Sequence, residues 1–191
     1  LVLTSAQPDE AQVGTLLDTL ALIGSHTGYP AFGVRITDNW ESAAQADADL
    51  LLLGPLPNEL VNDASLPFLL ESPRSWLQHG AAGTTEQSAG GSLGMSANGP
   101  LAAVVGQQSP FHAQRSLVAL LASTPTDYSL LRDALTDSGK QEAFAGAVTL
   151  IRTSGVSSHA AGEPYYVGKL PWWLLLWFHL SAHPVLLAFL A

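Results

Sequence analysis

The sequence predicts an α/β fold, in which the strands of a sheet alternate along the chain with helices that cover it. Short apolar runs of strand length alternate with segments whose apolar residues recur at helical spacing, from the first residue to about residue 168. Apolar residues make up 47% of the 191 residues and charged residues only 12%. This composition supports a buried core and is too apolar for a disordered chain.

The amino-terminal part of the chain predicts three strands and one long helix. Leu1–Thr4 is an apolar run of strand length, and residues 31–36 and 50–54 are two more. The last of them should be buried on both faces because it is almost entirely leucine. Pro8–Glu10 is typical of a helix start, since the amino end of a helix accepts proline and favours negative charge, and Gly28 can end that helix. Its predicted buried side consists of Val13, Leu16, Leu17, Leu20 and Ala21.

The carboxyl-terminal part predicts two further helices and three strands. Residues 101–106 form a buried apolar strand, and Ser109-Pro110 predicts a helix start after it. Residues 127–139 predict a second helix, 146–152 a strand, and 163–168 its partner strand. The predicted buried side of the helix after Ser109 consists of Phe111, Leu117, Leu120 and Leu121.

Strands separated by helices favour an open, mostly parallel sheet with helices on both faces. The flavodoxin-like arrangement is the natural small example, and we predict such a domain over residues 1–168. Residues 80–99 interrupt the pattern because they are rich in Gly, Ser and Ala and lack periodicity. They predict a flexible loop or a weak hairpin.

Charge and residue content exclude several classes of function. The net charge is −9 and the seven basic residues are scattered singly, so no basic surface is available for nucleic acid. The absence of cysteine excludes disulfides, thiolate zinc sites and a cysteine nucleophile. The chain contains neither a GxGxxG nor a GxxxxGK[ST] loop, and it has no GxSxG nucleophile turn. We therefore assign no catalytic, metal or cofactor-binding residue.

The last 23 residues, from Lys169 onward, are rich in tryptophan and leucine. Residues 172–191 have the length of one membrane crossing, but a two-part interpretation explains the sequence better. Residues 169–183 predict an amphipathic helix that lies in the membrane interface, with Pro171 near its start. Pro184 ends this helix, and residues 184–191 begin a transmembrane anchor whose remainder is absent. The alternative is a buried helix of a soluble protein, which the lack of a polar side over residues 172–178 disfavours.

Four aromatic residues of that helix are the predicted site for contact with the membrane and with a partner protein: Trp172, Trp173, Trp177 and Phe178. Tryptophan is the residue type that prefers the level of the lipid headgroups. His179 and His183 share one side of the helix, where they would face headgroups or a partner. We interpret both ends of the chain as cuts within a longer protein. Basic residues beyond the anchor would lie in the cytoplasm, so the folded domain is expected in the periplasm.

Several stretches together resemble the B subunit of bacterial cellulose synthase, a family often described as cyclic di-GMP-binding regulatory subunits. They are ADADLLLLG (46–54), GPLAAVVGQQSPFHAQRSLVALLA (99–122), DSGK (137–140) and YYVGKLPWWLLLWFHLSAHPVLLA (165–188). The last stretch is the most specific. The resemblance covers the whole chain and places it in the C-terminal portion of the family's protein. That portion comprises the second flavodoxin-like domain, the interface helix and the start of the anchor.

The resemblance implies a non-catalytic subunit, without a cofactor, that is anchored in the inner membrane and folded in the periplasm. Its anchor is expected to pack against the catalytic subunit of cellulose synthase, which polymerises glucose from UDP-glucose. The B subunit supports that activity and helps to receive the extruded glucan. Some relatives assemble several copies, and the segment 80–99 or a free sheet edge could make such contacts by strand addition.

The family's description raises the question of whether this chain binds cyclic di-GMP. Sites of the PilZ type resemble RxxxR followed by DxSxxG. The chain has no RxxxR, and its DYSLLR (127–132) lacks the final glycine. A dianionic nucleotide would also meet a net negative domain. We expect the nucleotide to bind the catalytic partner instead.

Two alternatives from other classes stay open at this point. One is a membrane-tethered flavin- or nucleotide-binding α/β enzyme, for which the turn 106–113 is the most plausible binding segment. The other is a carbohydrate-binding module whose aromatic residues stack on sugars. Trp40 and Trp76 are its candidates, and both fit buried packing as well.

Overall fold

The computed structural model describes residues 1–57, 99–160 and 165–182 of the chain. The described residues contain one seven-stranded sheet of order β2-β1-β3-β5-β4-β6-β7. Its strands are β1 (Val2–Leu3), β2 (Ile36–Thr37), β3 (Leu50–Leu53), β4 (Leu101–Gln108), β5 (Ser116–Leu121), β6 (Val148–Arg152) and β7 (Gly155–His159). The helices are α1 (Glu10–Thr27), α2 (Trp40–Gln45), α3 (Pro125–Thr136), α4 (Ser138–Gln141) and α5 (Trp172–Ala182).

The predicted α/β class is confirmed, but the sheet is mixed. The strands β2, β1, β3 and β5 run parallel to one another, whereas the pairings β5–β4, β4–β6 and β6–β7 are antiparallel. The connection from β4 to β5 explains the change of direction. A parallel crossover needs about a dozen residues or more, and residues 109–115 are too few. The order therefore begins 2-1-3, as in flavodoxin-like sheets, and departs from that pattern at β4.

The predicted helix after Ser109 is wrong, because residues 116–121 form β5. Gln114 adopts a left-handed backbone conformation with φ 74°, which interrupts any helix there. The Ser109 N–H donates to the Arg115 carbonyl oxygen at 2.8 Å and closes the turn. β5 then pairs with β3 on one side and β4 on the other, and these long-range hydrogen bonds outweigh the local helix signal.

Two predicted strands also differ from the structure. β6 pairs with β7 rather than with residues 163–168, of which the described residues 165–168 form no strand. The two-residue connection Thr153-Ser154, followed by Gly155 at φ 137°, folds β7 directly back onto β6. The strand predicted over 31–36 overlaps β2 only at Ile36, because residues 31–35 form no strand. Residues 58–98, 161–164 and 183–191 lie outside the described part, and with them the predicted segment 80–99 except Gly99.

Helix α1 begins and ends as predicted, but of its predicted buried side only Leu16 packs, partly buried, against the core. The Asp9 carboxylate accepts a hydrogen bond from the Gln12 N–H, and Gly28 ends the helix at φ 73°. Val13 and Leu17 are 42% and 61% exposed. The most deeply buried residues are polar: Gln12, Thr15 and Thr19. Both threonine hydroxyls donate to carbonyl oxygens one helical turn earlier, at 2.8 and 2.7 Å, so they can be buried without an unmet hydrogen bond.

Helices cover both faces of the sheet, as predicted. Successive strand residues point to opposite faces, and they belong to two separate apolar clusters. α1 and α3 cover one face, where Tyr128 and Leu131 pack against Leu53 and Leu120. α2 covers part of the other face, where Trp40 and Ala43 join the cluster around Leu52 and Leu121.

Candidate functional site

The carboxyl-terminal helix α5 begins where the sequence predicts. The Pro171 carbonyl oxygen accepts hydrogen bonds from the N–H groups of Leu174 and Leu175, at 3.0 and 3.1 Å. The helix runs over Trp172–Ala182, which is 11 residues within the predicted segment 169–183. Residues 183–191, including Pro184 and the predicted start of an anchor, lie outside the described part.

The three tryptophans of α5 project into solvent. Trp172, Trp173 and Trp177 are 74%, 57% and 64% exposed, and the rings of Trp172 and Trp173 meet edge to face at 6.0 Å. Phe178 is partly buried, because its ring packs edge to face with Tyr166 at 5.3 Å and 73°. Apolar residues extend around the whole circumference of α5, so the prediction of an amphipathic helix is wrong. An exposed helix of this composition requires a second apolar surface.

The segment before α5 connects the helix to the sheet through contacts at the amino end of a central strand. The Gly168 N–H donates to the Gln114 carbonyl oxygen at 2.8 Å, and the Tyr165 hydroxyl lies 3.4 Å from the Ser116 hydroxyl. Ser116 is the first residue of β5. α5 is therefore attached beside the amino ends of the parallel strands.

A small group of charged side chains lies near the same amino ends of the parallel strands. The Arg115 Nε–H donates to Asp47 Oδ1 at 2.8 Å, and this hydrogen bond lowers the pKa of the Asp47 carboxyl. The Ser116 N–H donates to Asp49 Oδ1 at 2.9 Å. The side chains of Asp47 and Asp49 are largely exposed, so these contacts orient the loop more than they stabilise it.

Among the helices that the structure describes, none combines the length and the apolar character needed to cross a bilayer.

A crevice of about 530 Å³ lies at the opposite ends of the parallel strands, beyond the carboxyl ends of β1 and β3. α1 leaves β1 on one face of the sheet, and α2 precedes β3 on the other. The divergence of these helices opens the space, as at the topological switch point of open α/β sheets. The described residues that line it are Leu3, Thr4, Ser5, Asp38, Asn39, Trp40, Glu41, Leu52, Leu53, Pro55 and Pro57.

A buried chain of hydrogen bonds holds one wall of the crevice. The Ser5 hydroxyl donates to Gln12 Oε1 at 2.7 Å, and Gln12 Nε2–H donates to the Tyr128 hydroxyl at 3.0 Å. Burial raises the pKa of Tyr128 above its ordinary value. Thr4 Oγ1 is also buried, and it has no hydrogen-bond partner among the described residues. The Thr4 hydroxyl is therefore a polar group on this wall whose hydrogen bond is not made.

The charged groups of the crevice are acidic. Asp38 and Glu41 line it, and neither belongs to an ion pair of the described residues. No lysine, arginine or histidine occurs among the described lining residues. A phosphate group, as in a flavin or nucleotide, would therefore find no cation among the described residues that line the crevice.

Trp40 is fixed at the crevice by its packing against Phe111, with ring centroids 5.1 Å apart and planes at 75°. The turn 106–113, considered above for nucleotide binding, supplies Phe111 but no described lining residue of the crevice. His112 in that turn contacts the Ala44 carbonyl oxygen through Nε2 at 3.1 Å. Within the described ranges, no cluster of three histidine or carboxylate side chains could hold a metal ion.

Sequence reasoning found the aromatic helix but missed most of the crevice. The side chains of Trp172, Trp173, Trp177 and Phe178 lie on one helix, as predicted, and the side chains of His179 and His183 lie outside the described part. A usable signal was present for the crevice, because polar residues follow predicted strands at Thr4–Ser5 and again after residue 36. Their convergence required the parallel pairing of β1 with β2 and β3.

The fold and the helix define a class of protein: an α/β domain that carries an exposed apolar, aromatic helix. Residues 1–120 match the family described as "Cellulose synthase BcsB, second FD domain". The chain belongs to this family, which confirms the resemblance seen in the sequence.

The curated relatives carry names in keeping with this family. The chain is 46% identical over 193 residues to the "Cyclic di-GMP-binding protein" of Salmonella typhi, covering 96% of this chain and 25% of that protein. It is 39% identical to the protein of the same name from Escherichia coli K12, with the same coverage. It is 29% identical to "Cellulose synthase 2" of Novacetimonas hansenii, covering 94% of this chain and 12% of that protein. The chain thus spans about a quarter, or less, of the length of these relatives.

Proposed function

We propose that this chain is part of a non-catalytic accessory subunit of bacterial cellulose synthase. Membership in the BcsB family supports the assignment to that enzyme complex. The observation that carries the role is the exposure of the α5 tryptophans, because a helix that is apolar all around is stable only against lipid or protein. The subunit would support the catalytic subunit and help to receive the extruded glucan.

The aromatic side chains of α5 would lie at the lipid–water interface of the inner membrane and against the catalytic subunit. Tryptophan rings favour the headgroup level, where one end of the indole is apolar and the other can donate a hydrogen bond. Burial of each ring contributes on the order of a few kcal/mol. Residues 184–191 would begin the transmembrane anchor, and the domain over residues 1–168 would lie in the periplasm.

The domain is proposed to be a variant of the flavodoxin-like fold, in which the order 2-1-3 is kept and two antiparallel strands, β4 and β7, are added. β2 and β7 are the edges of the described sheet, and each is short. Further copies of the subunit could pair with such an edge by strand addition, alone or with the segment 80–99.

Cyclic di-GMP is proposed to act on the catalytic partner rather than on this chain, although the Salmonella and Escherichia relatives are named for binding it. The chain has no RxxxR sequence, and its net charge is −9. Calorimetric titration of the 191-residue chain with cyclic di-GMP is expected to give no binding heat. Tight binding would contradict this part of the proposal.

The proposed role of α5 is tested by replacing its tryptophans in the full-length subunit, co-expressed with the catalytic subunit. The variant Trp172→Ser, Trp173→Ser, Trp177→Ser is expected to lose most of its co-purification with the catalytic subunit. The control replaces three exposed apolar residues of the domain: Leu17→Ser, Tyr29→Ser and Phe32→Ser. If the tryptophan variant co-purifies as well as this control, α5 is not the contact surface.

A further inference from the structure

We propose that the crevice beyond the carboxyl ends of β1 and β3 binds a neutral sugar chain. The chemical class follows from the residues of the crevice. The choice of a β-linked glucan as the sugar rests on the proposed function. The inference adds a ligand-binding site to the proposed contacts of the subunit with the membrane and the catalytic subunit.

The position of the crevice is that of a ligand site. In open α/β sheets, ligands bind outside the carboxyl ends of the strands where the chain connections diverge to opposite faces. Here Leu3 and Leu52–Leu53 form the floor at the strand ends, with α1 and α2 on opposite faces. The volume of about 530 Å³ lies in the range of small-molecule sites.

The polar groups suit a ligand made of hydroxyls. Thr4 and Ser5 offer hydroxyl groups, and Asp38 and Glu41 offer carboxylate oxygens that accept hydrogen bonds. Ser5 uses its own proton in the bond to Gln12, so its remaining capacity is as an acceptor. Sugar hydroxyls both donate and accept, and they could satisfy acceptors of this kind together with the unpartnered Thr4 hydroxyl.

The charge of the crevice separates a sugar from the anionic ligands of similar folds. The two carboxylates would repel a phosphate group, and no cation among the described lining residues offsets this repulsion. A flavin or nucleotide is therefore disfavoured at this position. A neutral polyol is not repelled by the carboxylates. Hydrogen bonds from its hydroxyls to a carboxylate are also stronger than those between neutral groups.

Trp40 completes the chemistry with an apolar surface at the crevice. It is partly buried, and Phe111 holds its ring by an edge-to-face contact, so little side-chain entropy would be lost on binding. The crevice lies at the carboxyl ends of the parallel strands, whereas the α5 segment attaches at their amino ends. A sugar bound in the crevice would therefore contact the domain at the end opposite to the attachment of α5.

The test uses the 191-residue chain labelled with 5-fluorotryptophan at its five tryptophans and follows their ¹⁹F signals. The Trp40 signal is assigned with Trp40→Phe. Addition of cellotetraose is expected to shift the Trp40 signal in a saturable way and to leave Trp172, Trp173 and Trp177 unchanged. Flavin mononucleotide, the anionic comparator, is expected to leave the Trp40 signal in place.

Variants assign the binding to the crevice. Asp38→Ala and Glu41→Ala remove exposed carboxylates and are each expected to weaken cellotetraose binding about tenfold. The control is Glu10→Ala, which removes another first-turn helix acid that does not line the crevice, and it should bind as the unmodified chain does.

Several outcomes would overturn the proposal. They are an unchanged Trp40 signal, equal shifts of all five signals, a larger shift with flavin mononucleotide, or equal affinities of the three variants. The proposed function can fail separately. Loss of sugar binding with intact co-purification of the subunits removes the crevice site alone, whereas the reverse result removes the α5 contact alone.

Discussion

Gln12 and Tyr128, 116 positions apart in the chain, are joined by a buried hydrogen bond of 3.0 Å from Gln12 Nε2 to the tyrosine hydroxyl oxygen. The bond links α1 to α3 behind the crevice wall, where Gln12 also accepts from Ser5. It explains why α1 turns a polar residue inward and leaves Val13 and Leu17 exposed. A buried amide needs its partners, and Tyr128 and Ser5 supply two of them.

Removing the tyrosine hydroxyl should therefore destabilise the domain. Tyr128→Phe leaves the Gln12 amide without that buried acceptor and is expected to lower the free energy of unfolding by about 1–3 kcal/mol. Urea denaturation measures the change. Tyr29→Phe is the matched control, because Tyr29 is 78% exposed, and it should have no measurable effect. Equal stabilities of the two variants would show that the Gln12–Tyr128 bond contributes nothing.

The raised pKa of Tyr128 predicts a loss of stability at alkaline pH. Burial, the largest cause, keeps the folded-state pKa above the ordinary value of 10.0, and the hydrogen bond from Gln12 only partly opposes it. The unfolded chain then releases its proton first as pH rises above about 10. Stability contributed by the neutral hydroxyl is present below that pH and lost above it. Between pH 8 and 11, Tyr128→Phe should lose less stability than the unmodified chain, and an identical loss would refute the assignment.

Asp127 joins the start of α3 to the start of β4, and its replacement should be costly. Its Oδ2 accepts from the Thr124 N–H at 2.9 Å within a capping box, and its Oδ1 accepts from the Leu101 N–H at 3.0 Å. Asp127→Asn places an NH₂ group against one of these donors and is expected to cost about 2 kcal/mol. Glu142→Gln, on an exposed residue, is the control in thermal denaturation. An unchanged melting temperature for Asp127→Asn would exclude the capping role.

Gly146 cannot be replaced without strain. Its φ is +84°, and an added Cβ would lie 2.6 Å from the His159 carbonyl oxygen, in the backbone of β7. Gly146→Ala should therefore destabilise the protein by about 1–3 kcal/mol. At Gly33, where nothing lies within 4 Å of an added Cβ, the same substitution should be neutral or slightly stabilising. The two melting temperatures decide the matter, and equal values would contradict the strained geometry.

The unexpected orientation of α1 can be checked by substitution on its two sides. Leu17 is 61% exposed although its spacing predicts burial, so Leu17→Ala should change the free energy of unfolding by less than about 0.5 kcal/mol. Leu131 on α3 is fully buried, and Leu131→Ala should cost about 2–5 kcal/mol. A large loss for Leu17→Ala would restore the side predicted from the sequence.

Features that depend on neighbours along the chain were predictable from the residues. Asp9 and Gly28 bound α1, Pro171 immediately precedes α5, and the leucines 50–53 form a buried strand. Each depends on hydrogen bonds, backbone conformations or burial that a few consecutive residues specify. The predicted helix 127–139 was also found, as α3 followed after Asp137 by the short α4.

Features that depend on residues far apart in the chain could not be predicted from the sequence. β5 was expected as a helix because Ser109-Pro110 and the apolar residues after it fit that pattern, but its hydrogen bonds go to β3 and β4. The buried side of α1 was misassigned because a partner 116 positions away makes Gln12 an acceptable core residue. The crevice likewise collects side chains from segments that meet only when β1 pairs with β2 and β3.

The amino-acid sequence was enough to identify the α/β class, the family and the aromatic helix, because composition, caps and an all-apolar segment are local properties. Strand direction, the inward side of α1 and the crevice depended on the folded arrangement. Their energies come from hydrogen bonds and contacts between residues far apart in the chain, and local patterns do not encode those pairings.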